Sequence, residues 1–149
     1  MKKFRYRMEN VLNIKLQLEE QQKIQFTIAS NKVEEEKEKL KQMVVRQNMF
    51  QARLKEELSS DELNLMEVRL ARDGIEYMKR VIREQMFAIS KAEKALEIER
   101  KKLNDIRIER KTQEKLKEYA FEEYKREFAA EEAREIDQTV TYTYSTQNA

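Results

Sequence analysis

The residues with most to offer another molecule are aromatic and aliphatic side chains near the two ends of the chain. Leu116, Tyr119, Ala120, Phe121, Tyr124 and Phe128 form one group, and Phe4, Tyr6, Met8, Val11, Leu12, Ile14, Leu16 and Leu18 the other. Their chemistry is that of contact, because aromatic rings are costly to leave wet and good as interface anchors. Bond-making chemistry has little to work with. With no Cys and no His there is no Cys/His metal site, no imidazole base and no disulfide. A single glycine cannot build a phosphate-cradling loop. Carboxylate or lysine chemistry would need a desolvated cleft, which a narrow helical rod does not offer. No enzyme activity, cofactor or metal is expected.

Such contacts need a frame, and composition says which. Of 149 residues, 40% are charged, one is glycine and none is proline, so nearly every helix breaker is missing. Val68, Ile75, Ile82, Ile89, Leu96 and Leu103 stand seven apart, with Ala71, Met78, Gln85, Ala92, Glu99 and Ile106 at the complementary spacing. This is the seam of a coiled coil, and it calls for a second helix to cover it. Leu12, Phe26, Val33, Leu40 and Leu54 supply one matching column, with Ala29, Met43 and Phe50 in the alternate one. Glu19 and Gln47 interrupt the first column, and Lys15, Gln22 and Glu36 the second. Gln47, Gln85 and Glu99 are expected to set register at some loss of stability.

The pattern predicts an all-α fold, two long helices forming an antiparallel coiled-coil hairpin. The first helix spans about residues 4–58, roughly 80 Å at 1.5 Å per residue. A turn falls at about 59–61, where Ser59 and Glu62 read as a capping box. The second helix spans about 61–137, and the uncharged stretch 138–149 reads as a disordered tail, or as a strand for a partner. Folding at residue 60 puts Val33 at the level of Ile89 and Phe26 at that of Leu96. Gly74 is either a tolerated glycine or marks a kink or bare surface.

Beyond Ile106 the seam positions become Arg110, Gln113 and Lys117, facing Lys15, Glu19 and Gln22. Either the seam shifts there and sheathes the aromatic residues, or they form a partner surface; the second reading is preferred. Charge is sorted at the same place. The first seven residues carry four positive charges, and residues 114–137 carry nine acidic against five basic groups. The net charge of +2 gives no drive toward nucleic acid, although Lys2, Lys3, Arg5 and Arg7 are a modest patch for nucleic acid or a membrane surface. The first residues lack the apolar stretch of a secretory signal, and no run approaches the ~20 apolar residues of a membrane span.

Phe4-Arg5-Tyr6-Arg7-Met8-Glu9-Asn10-Val11-Leu12, followed by Ile14, Lys15, Glu19 and Glu20, resembles the N-terminal signature of the bacterial flagellar export protein FliJ family. Glu109 to Lys117, leading into Glu131 to Asp137, is similar to that family's C-terminal region. The resemblance implies a stalk like that of a rotary ATPase γ subunit. The end where the termini meet would enter the ring of the hexameric flagellar type III export ATPase and promote its assembly, through Phe4, Tyr6, Val11, Leu12, Leu116, Tyr119, Phe121 and Tyr124. Tyr77, Met78 and Val81, near Gly74, would contact the cytoplasmic domain of the membrane export gate. Gly74 itself stands where some relatives are expected to carry a bulky apolar residue. Export chaperones would be further partners. The protein would be a monomer in the cytoplasm, associated peripherally with the inner face of the membrane at the flagellar base and not inserted in it. The alternatives are a generic coiled-coil scaffold that homodimerises and the stalk of a virulence-type III secretion system.

Overall fold

The computed structural model describes residues 2–148 and contains two helices, α1 (Glu9–Ser59) and α2 (Leu65–Gln147), with no strand among those residues. The fold is all-α, with the two helices paired antiparallel. The chain divides into two compact units. One comprises Gln22–Leu103; the other joins Met1–Gln21 to Asn104–Ala149.

In the unit Gln22–Leu103, protected positions recur at the spacing the heptads predict. Val33, Ala71, Met78, Ala92 and Leu103 are buried, and Ile75, Ile82, Ile89, Phe26, Leu40 and Phe50 are half-buried beside them. Each fully buried Val, Leu or Met contributes about 1.5–3 kcal/mol by leaving water. Two polar layers cross this seam. Gln85 donates to the backbone carbonyl of Glu36 at 2.8 Å and to its carboxylate, and Gln22 donates to the Glu99 carbonyl at 3.1 Å. Both pairs agree with the register that levels Val33 with Ile89. Arg53–Glu67 at 3.5 Å and the longer Lys37–Glu93 pair at 4.0 Å flank it.

The turn differs from the expected capping box. Ser59 closes α1 and gives its hydroxyl to the Lys55 carbonyl, so it is not free to cap α2. Asn64 does so instead, its side-chain oxygen accepting from the backbone N–H groups of Met66 and Glu67. Helix α2 therefore starts at Leu65. It also runs to Gln147 through the stretch expected to be a disordered tail, apart from Ala149, which lies outside the described residues. Neither Gly nor Pro interrupts it there, and Thr139, Thr143 and Thr146 return their hydroxyls to carbonyls four residues back.

Gly74 neither kinks the chain nor opens it. A Cβ at this position would lie 2.7 Å from the Phe50 ring, so the glycine is the hole that the ring fills. Gly74→Ala should therefore lower stability in urea denaturation. The helix-propensity gain of about 1 kcal/mol is outweighed by overpacking worth about 1–3 kcal/mol. In a Phe50→Leu background the same change should become stabilising. A gain in both backgrounds would mean that the ring does not occupy the hole.

Candidate functional site

The unit formed by Met1–Gln21 and Asn104–Ala149 is built differently. Residues 2–8 are not helical and lie as a strap along α2. The Tyr124 hydroxyl donates to the Lys2 carbonyl at 2.9 Å, and the Tyr6 hydroxyl donates to the Gln113 side-chain oxygen at 2.9 Å. Between these two ties the Phe4 ring packs edge-on against Phe121 at 5.0 Å and tilted against Tyr124 at 5.4 Å. Phe128 extends the cluster from Tyr124 at 6.2 Å. Such ring pairs contribute about 0.5–1.5 kcal/mol each beyond their burial. Lys2, Lys3, Arg5 and Arg7 share a groove with Glu123, Glu127 and Glu131, so the basic arm meets the acidic stretch of its own chain.

The seam beneath the strap does not shift. Arg110, Gln113, Lys117, Ala120 and Tyr124 keep the three-and-four spacing and are all half-buried. The polar residues that look like interruptions are partnered across it. Glu19, 5% exposed, takes Arg110 at 2.5 Å and Arg107 at 3.4 Å, and Arg110 reaches on to Glu114 at 3.0 Å. Lys15 pairs with Glu109 at 2.8 Å and Lys117 with Glu9 at 2.9 Å.

The seam and strap divide the residues expected to face a partner. Tyr6 and Leu12 are buried, and Phe4, Val11 and Tyr124 are half-buried in the clamp. Leu116, Tyr119 and Phe121 are exposed, with Tyr119 at 63% and the Lys125 ammonium 4.9 Å over the Phe121 ring. The first five are packed in the clamp and seam, whereas Leu116 and Tyr119 stay open on one side of α2 and Phe121 on its other flank. Exposed Ile14, Leu16, Leu18 and Ile108 add apolar area in the same unit.

In the other unit the second expected set separates likewise. Tyr77 is exposed, with the Arg80 guanidinium 5.3 Å from its ring centre, and Val81 is half-buried. Met78 is a correction: at 2% exposed it is a seam residue and can only support its neighbours from beneath.

Among the described residues, no cluster of His, Cys, Asp or Glu could hold a metal ion, and no helix is long and apolar enough to cross a membrane.

A family model described as Flagellar FliJ protein matches residues 4–149. No curated protein and no solved structure shows significant similarity to the chain.

Proposed function

Because this chain belongs to the flagellar FliJ family, non-catalytic components of the flagellar export apparatus, we propose that it is the stalk that joins the export ATPase to the membrane gate. In this reading the unit holding both termini enters the centre of the hexameric ATPase ring and promotes its assembly. The unit Gln22–Leu103 meets the cytoplasmic domain of the gate through Tyr77 and Val81, and export chaperones dock on the same protein. Binding at each unit biases the other, which is the content of coupling. The chain acts as a monomer, at the inner face of the membrane.

One observation supports the ATPase assignment above the rest. Leu116 and Tyr119 stand exposed on one side of α2, about 60° apart, on a helix that the strap and the partnered seam already hold in place, which lowers the ordering cost of binding. A central aromatic typically costs about 2–4 kcal/mol when truncated at such an interface. Replacing Tyr119 and Leu116 by Ala should therefore weaken co-sedimentation with the purified export ATPase at least thirtyfold and remove stimulation of ATP hydrolysis. Helicity by circular dichroism should stay unchanged. Undiminished stimulation would remove the assignment, and a chain that sediments as a dimer through this surface would favour the scaffold reading.

A further inference from the structure

Helix α2 carries a second kind of surface, on the side turned away from its seam. Arg80, Arg83, Phe87, Lys91 and Lys94 follow one another at spacings of three, four, four and three. On a helix turning 100° per residue, all five fall within about 40° of Phe87. All are exposed, and Phe87 is 72% exposed, among the most open large apolar residues of the protein. We propose that this line is a docking site for an acidic amphipathic helix of a partner protein. It is centred about 80° round the helix from Tyr77, which it adjoins through Arg80.

The charges carry the inference together with the ring. Some cations of α2 are neutralised, Lys79 by Glu76, Arg100 by Glu97 and Lys102 by Glu99 within the helix and Arg107 and Lys117 by carboxylates of α1. None of the four cations around Phe87 makes an ion pair among the described residues. The Arg80 guanidinium stands over the Tyr77 ring. A lone exposed phenylalanine needs no explanation. One centred between two unpaired cations on each side is a different object, an apolar anchor with charges that set orientation. The line is about 21 Å long at 1.5 Å per residue, some four helical turns. A complementary helix would place an aliphatic residue against Phe87 and carboxylates one and two turns to either side.

The width of the line favours a helix over a lipid surface. Interfacial helices present a broad apolar face to the bilayer. Here the apolar elements are narrow, the Phe87 ring and Ile98 three turns on in the same line, with Met86 about 100° away, and Glu84 and Glu97 border the line on opposite sides. A bilayer would have to meet those carboxylates, whereas a single helix lying along the line would not.

The test uses the full chain and three probes. They are a 21-residue helical peptide with one central leucine and glutamates four and seven residues to each side, a scrambled peptide of equal composition, and vesicles of mixed neutral and anionic phospholipid. By fluorescence anisotropy the patterned peptide should bind at least tenfold more tightly than the scrambled one. Phe87→Ser should weaken it about tenfold, and the Arg83→Gln/Lys91→Gln pair should weaken it and flatten its salt dependence. These positions are exposed, so folding is checked simply by circular dichroism. Equal binding of the two peptides, or indifference to Phe87→Ser, would overturn the proposal. Phe87-dependent binding to vesicles, without binding to the patterned peptide, would overturn it in favour of a lipid surface.

Discussion

Replacing Gln85 by leucine should lower the thermal midpoint, and adding Glu36→Leu should raise it above that of the parent chain. Gln85 and Glu36 are both buried, and the Gln85 amide serves the Glu36 carbonyl and carboxylate together. Leucine at 85 leaves the carboxylate with only Lys32 at 2.8 Å and Lys39 at 3.3 Å, both from its own helix. Losing a buried donor of this kind costs about 1–3 kcal/mol. With leucine at both positions no polar group remains to be satisfied, and such replacements are neutral or stabilising by about 1–4 kcal/mol. The gain has a counterpart in specificity, since a polar pair in an apolar seam is satisfied only in one register. Spin labels at Lys37 and Glu93, whose charged ends lie 4.0 Å apart, should therefore report a single short distance in the parent and a broader distribution in the double variant. Acid acts on the same pair. Hydrogen bonds from Lys32 first, then Gln85 and Lys39, hold the Glu36 carboxyl at about 2 against the opposing effect of burial, below its ordinary 4.5. A depressed carboxyl contributes stability that is present above its unfolded value and lost as pH falls through its folded one. The parent should lose stability between about pH 4.5 and 2 relative to Glu36→Gln, which cannot titrate. Parallel curves would mean that Glu36 is not the group responsible.

What the sequence reveals here depends on whether a residue's partner is near in sequence or across the fold. The columns starting at Val68 and Ala71 repeat on their own helix, so the seam and the antiparallel register could be read directly, although Ala71, Met78 and Ala92 are more deeply buried than Ile75, Ile82 and Ile89. Gly74 could not, because the ring that explains it belongs to Phe50 on the other helix. Arg110, Gln113 and Lys117 look like the end of the seam while each is taken singly. They are its continuation once Glu19, Tyr6 and Glu9 stand opposite. At the turn two local signals competed. Ser59 with Glu62 and Asn64 with Glu67 share the same spacing, and the Ser59 hydroxyl is consumed by Lys55. The strap left a trace that helical composition hid. Phe4, Tyr6 and Met8 alternate with Arg5 and Arg7, a period of two that suits an extended segment laying its rings on one side. Of the residues expected to face partners, those at seam spacing, Leu12 and Met78, proved to be packing residues, and Tyr119, off that spacing, stayed open.

Phe4→Ala should free the strap while leaving both helices intact, and so separate the residues that build the surface from those that offer it. The Phe4 ring is the apolar contact between two single hydrogen bonds, Tyr124 to Lys2 and Tyr6 to Gln113, both with some access to water. Its ring pairs and partial burial together amount to about 2–3 kcal/mol, while each neutral hydrogen bond adds only about 1 kcal/mol net. Without the ring, buried Tyr6 still anchors the inner end of the strap, while residues 2–5 are left to the exposed Tyr124–Lys2 bond and to charges that salt screens within about 10 Å at 0.1 M. Trypsin should then cut after Lys3 and Arg5 at least tenfold faster than in the parent, and faster still in high salt. Far-ultraviolet circular dichroism should be unchanged, because residues 2–8 contribute no helix. Tyr119→Ala should leave the strap as protected as in the parent, since Tyr119 takes no part in the clamp. If both variants lose stimulation of the export ATPase but only Phe4→Ala becomes sensitive to trypsin, the ring acts by positioning and the tyrosine by contact. Equal protection of Phe4→Ala would show instead that the charges facing Glu123, Glu127 and Glu131 suffice to hold the strap.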